Sequence, residues 1–252
     1  MPNHRSVLIV GAGPTGLTAA VELARRGIRA RVIDRNEAPT PLSKAVGINP
    51  RSLDLLEPGG ATPQLLAEGI RIQEGHVHLG RRHLATLQLF RLPHRFNFLL
   101  SLPQSEMETI LARRLSDYAI EVERRVALTG LVGRHDAVEA VLEGPGGREV
   151  AAFDLVFGAD GVHSTVREAL GLTFDGYTHA RTWSIADAEI EAWPYAPEAA
   201  HLFLQTGGDV GFIIPIGERR FRAVSKTADA LARIPGEYRV SRLLRTDTFK
   251  IT

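Results

Sequence analysis

The stretch Ser6–Arg35 reads SVLIVGAGPTGLTAAVELARRGIRARVIDR. It opens on a short apolar run, Val7–Val10, that ends at glycines, and such a run predicts a buried parallel strand. Apolar residues then recur at helical spacing over Leu17–Arg26, and Gly27 follows where a helix C-cap glycine belongs. Ala30–Ile33 predicts a second strand. The stretch as a whole therefore predicts a strand–helix–strand unit.

The turn between the first strand and the helix fits the pattern G-x-G-x-x-G. In that pattern the first glycine permits a tight turn, the second lets a pyrophosphate approach the backbone, and the third lets the helix pack close to the strand. Free N–H groups and the helix dipole then face the phosphates. Asp34, at the end of the second strand, is spaced to bind a ribose. The sequence predicts a dinucleotide site, NAD or FAD, that includes Asp34 and the turn residues Gly11, Ala12, Gly13, Pro14, Thr15 and Gly16.

The composition of the 252 residues is that of an ordinary globular protein, with 44% hydrophobic and 23% charged residues. A formal net charge of +1 gives no overall field that would recruit nucleic acid or a membrane surface. The chain has no cysteine, which excludes disulfides, thiolate metal sites and a cysteine nucleophile. We see no signal peptide and no membrane span, so the sequence predicts a cytoplasmic protein.

Two further polar residues stand where they would meet a ligand. Lys44 is the one cation of a loop rich in proline and small residues, and it either contacts a phosphate or is an exposed surface lysine. The segment Ser101–Ile120 predicts a helix, for which Ser105 and Glu108 are spaced as a capping box, and Gln104 lies just before that cap. A long amide at that position favours a contact with the ligand.

A second informative stretch is Asp154–Leu170, DLVFGADGVHSTVREAL. It predicts a buried strand, a turn around Asp160 and Gly161, and a short helix capped by Ser164. An acidic residue at the glycine-bounded end of a strand either bonds its own backbone or binds a polyol chain. Beside the first motif we favour the ligand role. Arg167 in the helix either reaches a phosphate or pairs with an exposed acid.

The rest of the chain is dominated by short alternating segments that predict antiparallel strands. We assign a discontinuous dinucleotide-binding domain to residues 1–69 and 100–178, and a second, mostly antiparallel domain to residues 70–99 and 179–252. His76 and His78 share a strand face, but no third metal ligand is evident nearby, so a polar strand face is the preferred interpretation. Pro215 suits an edge strand or a bulge. The segment after Tyr238 is polar and shows no closing helix.

Four segments together resemble the FAD-dependent aromatic hydroxylases, the class A flavoprotein monooxygenases with the p-hydroxybenzoate hydroxylase fold. The resemblance is to the polyketide and phenol hydroxylase branch and runs along essentially the whole chain. Its motifs are GAGPTGL with VIDR, PLSKAVGINPRSLDLL, LSLPQSEMETIL and VFGADGVHSTVREALG. The resemblance implies an α/β fold, with a Rossmann-like FAD-binding domain that has a parallel sheet and a β-meander crossover, beside a substrate domain. It also favours FAD over NAD.

The resemblance implies roles for individual residues. The first motif binds the pyrophosphate, Asp34 the adenosine ribose, and Arg35 flanks the adenine. Gln104 contacts the ribityl chain or the pyrophosphate. Asp160 and Gly161 mark a motif shared by FAD and NAD(P)H binding, with Arg167 at its basic end. Lys44 stands where the family usually has arginine, so the point charge of a lysine replaces the bidentate fork of a guanidinium.

The implied activity is hydroxylation of an aromatic or polyketide-like substrate, with NADH or NADPH as a transient reductant and O2 as co-substrate. The cofactor carries this chemistry, and we nominate no catalytic side chain. Family members continue with a strand and a Gly-Asp motif. Gly208-Asp209 does not fit that motif, so the sequence suggests a catalytically incomplete fragment or one half of a split enzyme as an alternative. An NAD-dependent dehydrogenase is a further alternative.

This comparison with the family also leads to an expectation about association. The missing strand would lie beside Leu155–Phe157, which would otherwise form an apolar sheet edge. We therefore expect self-association, or a partner chain that supplies the segment.

Overall fold

The computed structural model describes residues 6–39, 45–205 and 207–250. The contacts divide the chain into two compact units. The first contains the described residues of 6–39, 56–62 and 104–175, and the second contains those of 45–55, 63–103 and 176–250. Lys44 lies outside the described residues.

The helices and strands alternate in the first part of the chain, and strands dominate the second part. The helices are α1 (Pro14–Ala24), α2 (Pro50–Leu56), α3 (Thr62–Glu68), α4 (Gln104–Ser116) and α5 (Thr165–Ala169). The strands are β1 (Val7–Val10), β2 (Ala30–Asp34), β3 (Gly47–Ile48), β4 (Ile70–Ile72), β5 (Glu74–Leu79), β6 (Arg82–Gln88), β7 (Leu99–Ser101), β8 (Val122–Arg124), β9 (Ala127–Gly133), β10 (Val138–Gly144), β11 (Gly147–Phe153), β12 (Leu155–Gly158), β13 (Thr182–Glu191), β14 (Ala200–Leu204), β15 (Val210–Gly217), β16 (Arg220–Ser225) and β17 (Arg239–Lys250).

The first unit is built on a four-stranded parallel sheet in the order β12–β1–β2–β8. All four residues of β1 are buried, which explains why its sequence is continuously apolar. An antiparallel meander, β9–β10–β11, forms a second sheet in this unit. Leu8, Ile33, Leu128 and Leu142 belong to one buried cluster that includes strands of both sheets. The predicted Rossmann-like domain with a meander is confirmed.

The second unit is built on a seven-stranded sheet in the order β17–β13–β16–β15–β14–β5–β6. All neighbours in this sheet are antiparallel except β14 and β5, so the predicted mostly antiparallel sheet is confirmed. Its core includes Phe203, Ile213 and Ala223, each fully buried. Pro215 lies in a central strand, where the register shifts between Pro215 and Gly217, so a bulge accommodates it.

The compact units differ from the domain ranges assigned by sequence. Residues 45–55 and 63–69, assigned to the first domain, group with the second unit. The reason is strand pairing, because β3 and β4 both pair with β7 in a small antiparallel sheet. The functional division into domains stays a prediction.

One local prediction was wrong. Ser105 and Glu108 do not form a capping box, because α4 begins at Gln104 and Glu108 is buried, accepting a hydrogen bond from Gln104. The polar segment after Tyr238, for which the sequence indicated no closing helix, contains β17, which pairs with β13 along its length. Its polar sequence lacks a clear apolar alternation, so the strand is stabilised by a partner that is distant in sequence.

Candidate functional site

A cleft of about 250 Å³ lies in the first unit, at the carboxyl ends of β1 and β2. Ligands of open α/β sheets bind at this end of the strands. The structure brings eight of the residues singled out by sequence to its wall: Gly11, Ala12, Gly13, Asp34, Arg35, Gln104, Asp160 and Gly161. Pro14, Thr15, Gly16 and Arg167 do not line it.

The three glycines of the turn differ in what surrounds them. Gly11 has a φ of +101°, and a Cβ there would lie 2.3 Å from the carbonyl oxygen of Ala159. A Cβ at Gly16 would lie 1.9 Å from the carbonyl oxygen of Gly11. A Cβ at Gly13, by contrast, would meet only Glu108 Oε1 at 3.9 Å. Gly11 and Gly16 are therefore required by packing, whereas Gly13 keeps the cleft open.

The start of α1 supplies donors to this opening. Gly13 is the N-cap residue and has no side chain to cap the helix, and Pro14 occupies the first turn. The first N–H groups of a helix have no partner within it, and they carry its positive dipole end. An uncapped helix start beside an open glycine is suited to hold phosphates.

Asp34 is buried at the end of β2, and its two carboxylate oxygens have different partners. Oδ2 accepts a hydrogen bond from the backbone N–H of Ala12 at 2.7 Å, and Oδ1 accepts one from that of Asn36 at 2.8 Å. Arg124 Nη1 lies 3.7 Å from Oδ2. Asp34 thus holds the glycine turn in place. A carboxylate has about four lone-pair sites, so capacity remains for ribose hydroxyls.

Asp160 forms local hydrogen bonds and also lines the cleft, so it combines the two roles that the sequence left open. Its Oδ1 accepts a hydrogen bond from Ser164 Oγ at 2.6 Å, and its Oδ2 accepts one from the backbone N–H of Val166 at 3.2 Å. It therefore braces the start of α5 while it lines the cleft. Ser164 caps α5 by accepting from the N–H of Arg167 at 3.0 Å, as predicted.

Arg167 contacts residues close to it in the chain and does not line the cleft. Its Nη1 donates to the carbonyl oxygen of Val162 at 2.9 Å, and its guanidinium carbon lies 4.8 Å from the centre of the Phe174 ring. This position gives it a local structural role in the chain as described.

Sequence reasoning missed Arg124 and Glu108, which both line the cleft. Arg124 is the last residue of β8, a strand of the parallel sheet. The rule that ligands bind beyond the carboxyl ends of parallel strands would have drawn attention to it, had β8 been assigned to that sheet. Glu108 follows Gln104 by one helical turn, so both side chains share one face of α4.

A second cavity, of about 370 Å³, lies within the second unit. Among the described residues, no polar atom is exposed at its wall. Phe212 lines it, whereas Ile214 and Ile216 of the same strand are buried in a cluster with Ile72. Its other walls include the apolar side chains of Val77, Leu87, Leu92, Phe98 and Leu202.

Within the described ranges, no group of three or more His, Cys, Asp or Glu side chains is placed to hold a metal ion. No helix in the described part of the chain combines the length and apolarity needed to cross a membrane.

Comparison with known protein families identifies the family of the chain. The family described as "FAD binding domain" matches residues 4–239. The chain belongs to this family. The family match does not support the alternative of an NAD-dependent dehydrogenase, and FAD is the cofactor of its fold.

Two curated relatives of this family are monooxygenases. The chain is 38% identical over 221 residues to 6-methylpretetramide 4-monooxygenase of Streptomyces rimosus, covering 86% of this chain and 39% of the relative. It is 32% identical over 203 residues to pentachlorophenol 4-monooxygenase of Sphingobium chlorophenolicum, covering 79% of this chain and 38% of the relative. The chain therefore spans about two fifths of the length of these relatives.

Solved structures share the fold. The crystal structure of p-nitrophenol 4-monooxygenase PnpA from Pseudomonas putida DLL-E4 superposes with a TM-score of 0.86 at 20% identity, covering 98% of this chain and 68% of that one. This similarity confirms the fold class inferred from the sequence.

Proposed function

We propose that the chain is the FAD-binding part of a monooxygenase that hydroxylates an aromatic or polyketide-like substrate with NADH or NADPH and O2. The observation that carries the proposal is the cleft in the first unit. It combines an open glycine at an uncapped helix start with a buried aspartate, in a chain of the FAD binding domain family. The names of the relatives support the reaction class and the kinds of substrate.

The cleft fits the ADP half of FAD. The remaining backbone N–H groups of the turn, those of Gly13 and Thr15, would hold the pyrophosphate, and Asp34 would accept the ribose hydroxyls. Arg35, on the exposed side of the cleft, would flank the adenine. Gln104, Asp160 and Gly161 would contact the remainder of the cofactor. For Lys44 and Arg167 a direct contact with the cofactor stays a prediction from the family pattern.

When bound and reduced, FAD would supply the activation of O2, from which one oxygen atom passes to the substrate. The side chains of this chain bind the cofactor, hold its orientation and keep water from the reacting atoms. No side chain is proposed to act as nucleophile or general base.

The apolar cavity of the second unit is proposed as the substrate site. Its volume of about 370 Å³ falls within the range of roughly 300–1,000 Å³ typical of small-molecule pockets. Its wall offers hydrophobic contact and, among the described residues, no charged side chain to pair with a carboxylate. These features favour a neutral, ring-shaped substrate that is held by shape and apolar contact.

A flavin titration tests the proposal. The purified chain should bind FAD with quenching of flavin fluorescence, and Gly13→Ala should weaken binding about tenfold or more, because a methyl group would enter the space of the pyrophosphate. Gly133→Ala is the matched control, since Gly133 also has open space around it and lies outside the cleft. Failure of the native chain to bind FAD would overturn the proposal.

The length of the relatives favours a second candidate function. Because the chain spans about two fifths of those proteins, it is also a candidate for a flavin-binding fragment that is inactive without further polypeptide. In that case the chain would bind FAD but would not consume NADH or NADPH in response to a phenol. Substrate-dependent consumption of reductant and O2 by the chain alone would rule this candidate out.

Two finer proposals concern association and location. We propose that the chain self-associates through β12, which is the edge strand of the parallel sheet as described and carries half-exposed Leu155 and Phe157. A partner chain that supplies an additional strand is the other candidate, and sedimentation of the purified chain, alone and with such a strand as a peptide, distinguishes them.

We also propose a cytoplasmic location, which a cysteine-free sequence suits, and cell fractionation tests it.

A further inference from the structure

Glu108 is a buried carboxyl group at the wall of the cofactor cleft. It lies on α4, its residue is 3% exposed, and it lines the same cleft as the glycine turn. Gln104 Nε2 donates a hydrogen bond to Oε1 at 2.8 Å. The same oxygen lies 3.9 Å from the position that a Cβ of Gly13 would take. A ligand that fills the open space over Gly13 therefore comes close to this carboxyl group.

The surroundings of Glu108 disfavour its ionised form, chiefly because the side chain is buried. Burial raises the pKa of Glu108, and the carboxylate of Asp34 acts in the same direction. The hydrogen bond from Gln104 and the charge of Arg124 act against these effects but do not cancel them. Arg124 is also close to Asp34, 3.7 Å from its Oδ2, so one guanidinium serves two carboxyl groups.

Binding of a dinucleotide would add negative charge at this place. The pyrophosphate belongs at the start of α1, and Gly13 is the N-cap residue of that helix. Like charges at short distance favour the neutral form of the weaker acid. A protonated Glu108 can still accept the bond from Gln104 on Oε1, and its Oε2–H becomes a donor.

We propose that Glu108 binds the dinucleotide as a neutral carboxylic acid, donating its proton in a hydrogen bond to an oxygen of the ligand's phosphates. This inference rests on the proposed FAD binding. Its consequence is a linkage between binding and pH, since a chain in which Glu108 is ionised must take up one proton when FAD binds. The proton comes from solvent, and the O–H bond of Glu108 is the only covalent bond that forms on the protein.

Calorimetric titration with FAD tests the inference. The phosphates of FAD are diesters that do not titrate between pH 5.5 and 8.5, so proton uptake reports on the protein. Titrations in two buffers of different ionisation enthalpy should show uptake that approaches one proton per FAD as the pH rises. The affinity of the native chain should fall, by up to about tenfold per pH unit, the limit for one linked proton.

Two variants separate this effect from other titrating groups. Glu108→Gln keeps a neutral donor at the same place, so it should bind FAD without this proton uptake and more tightly than the native chain at pH 8.5. Glu106→Gln makes the same change of charge on the same helix, at a residue that does not line the cleft, and should behave like the native chain.

The outcomes distinguish this inference from the proposed function. FAD binding with no proton uptake at any pH would overturn the inference alone. Weaker binding by Glu108→Gln than by the native chain across the whole range would also overturn it, because it would show that an ionised Glu108 accepts a hydrogen bond from the ligand. A chain that binds no FAD would overturn the proposed function and this inference together.

Discussion

Four histidine rings of the second unit, those of His76, His78, His83 and His201, form a cluster. His201 Nε2 lies 2.9 Å from the carbonyl oxygen of Ala196, so this nitrogen carries the proton. In a neutral His201, Nδ1 accepts a hydrogen bond from His78 Nε2, which lies 3.3 Å away. Burial of His201 favours this neutral form. Adding a proton to Nδ1 would remove this acceptor.

Stability should fall in acid because of His201. Burial lowers the pKa of His201 from its usual 6.5 to about 4, with the neighbouring histidines acting in the same direction and the carbonyl of Ala196 against it. Below pH 6.5 the unfolded chain takes up a proton that the folded chain does not. The stabilisation is therefore complete above pH 6.5 and is lost as the pH falls towards 4.

Urea unfolding at pH 7.5 and pH 5 measures this loss. We expect His201 to account for about 2 kcal/mol of the decrease in the free energy of unfolding. His201→Gln should reduce the difference between the two pH values by that amount, whereas exposed His163→Gln should leave it unchanged. Equal pH dependence of the native chain and His201→Gln would contradict the assignment.

The pair of Asp187 and Arg222 is the most buried ion pair of the second unit as described. Arg222 Nε and Nη2 donate to the two oxygens of Asp187 at 2.6 and 2.7 Å, and Arg222 Nη1 donates to the carbonyl of Ala45 at 3.3 Å. Arg222 is 2% exposed. Removing one partner would leave a buried charge uncompensated.

Asp187→Ala should lower the free energy of unfolding by about 3–5 kcal/mol. Glu139→Ala, which breaks the exposed pair with Arg134, should cost less than about 1 kcal/mol and serves as the control. Chemical denaturation measures both. A loss from Asp187→Ala no larger than that of the control would show that water compensates Arg222.

Among the elements, β12 has the clearest consequence for behaviour in solution. It pairs in parallel with β1, with Leu155 opposite Val7 and Gly158 opposite Val10. Its other edge has no strand partner among the described residues. Phe157 is 43% exposed there. Such an edge favours pairing with another strand.

Phe157→Lys should lower the average mass of the chain in sedimentation, because a charge on the edge strand opposes strand pairing. Leu55→Lys is the control, since Leu55 is 61% exposed but lies on α2. Equal self-association of the native chain and Phe157→Lys would exclude β12 as the contact.

For the molecule as a whole, bound FAD should stabilise the folded state by mass action. At a free concentration one hundred times its Kd, FAD should add about 2.7 kcal/mol to the free energy of unfolding. Riboflavin, which lacks the ADP half that the cleft is proposed to hold, should give a smaller effect in the same thermal unfolding experiment. Equal stabilisation by both would place the binding energy outside the cleft.

Local sequence patterns were sufficient to predict the elements whose residues interact with close neighbours in the chain. The strand–turn–helix of Val7–Ala24 and the capped start of α5 at Ser164 followed from periodicity, glycines and caps. The sequence by itself therefore determined the strand–helix–strand unit, its glycine turn and the position of Asp34 at the end of β2. Each depends on contacts within about thirty residues, where the chain's own pattern restricts the backbone.

Only the tertiary structure decided the features that depend on distant partners. Pairing with β13 made a strand of the polar segment Arg239–Lys250, and pairing with β7 drew β3 and β4 into the second unit. Burial beside Gln104 made Glu108 part of the cleft instead of a helix cap. The physical reason is common to all three: long-range pairing and burial set the environment of these residues, and neither is encoded in their immediate neighbours.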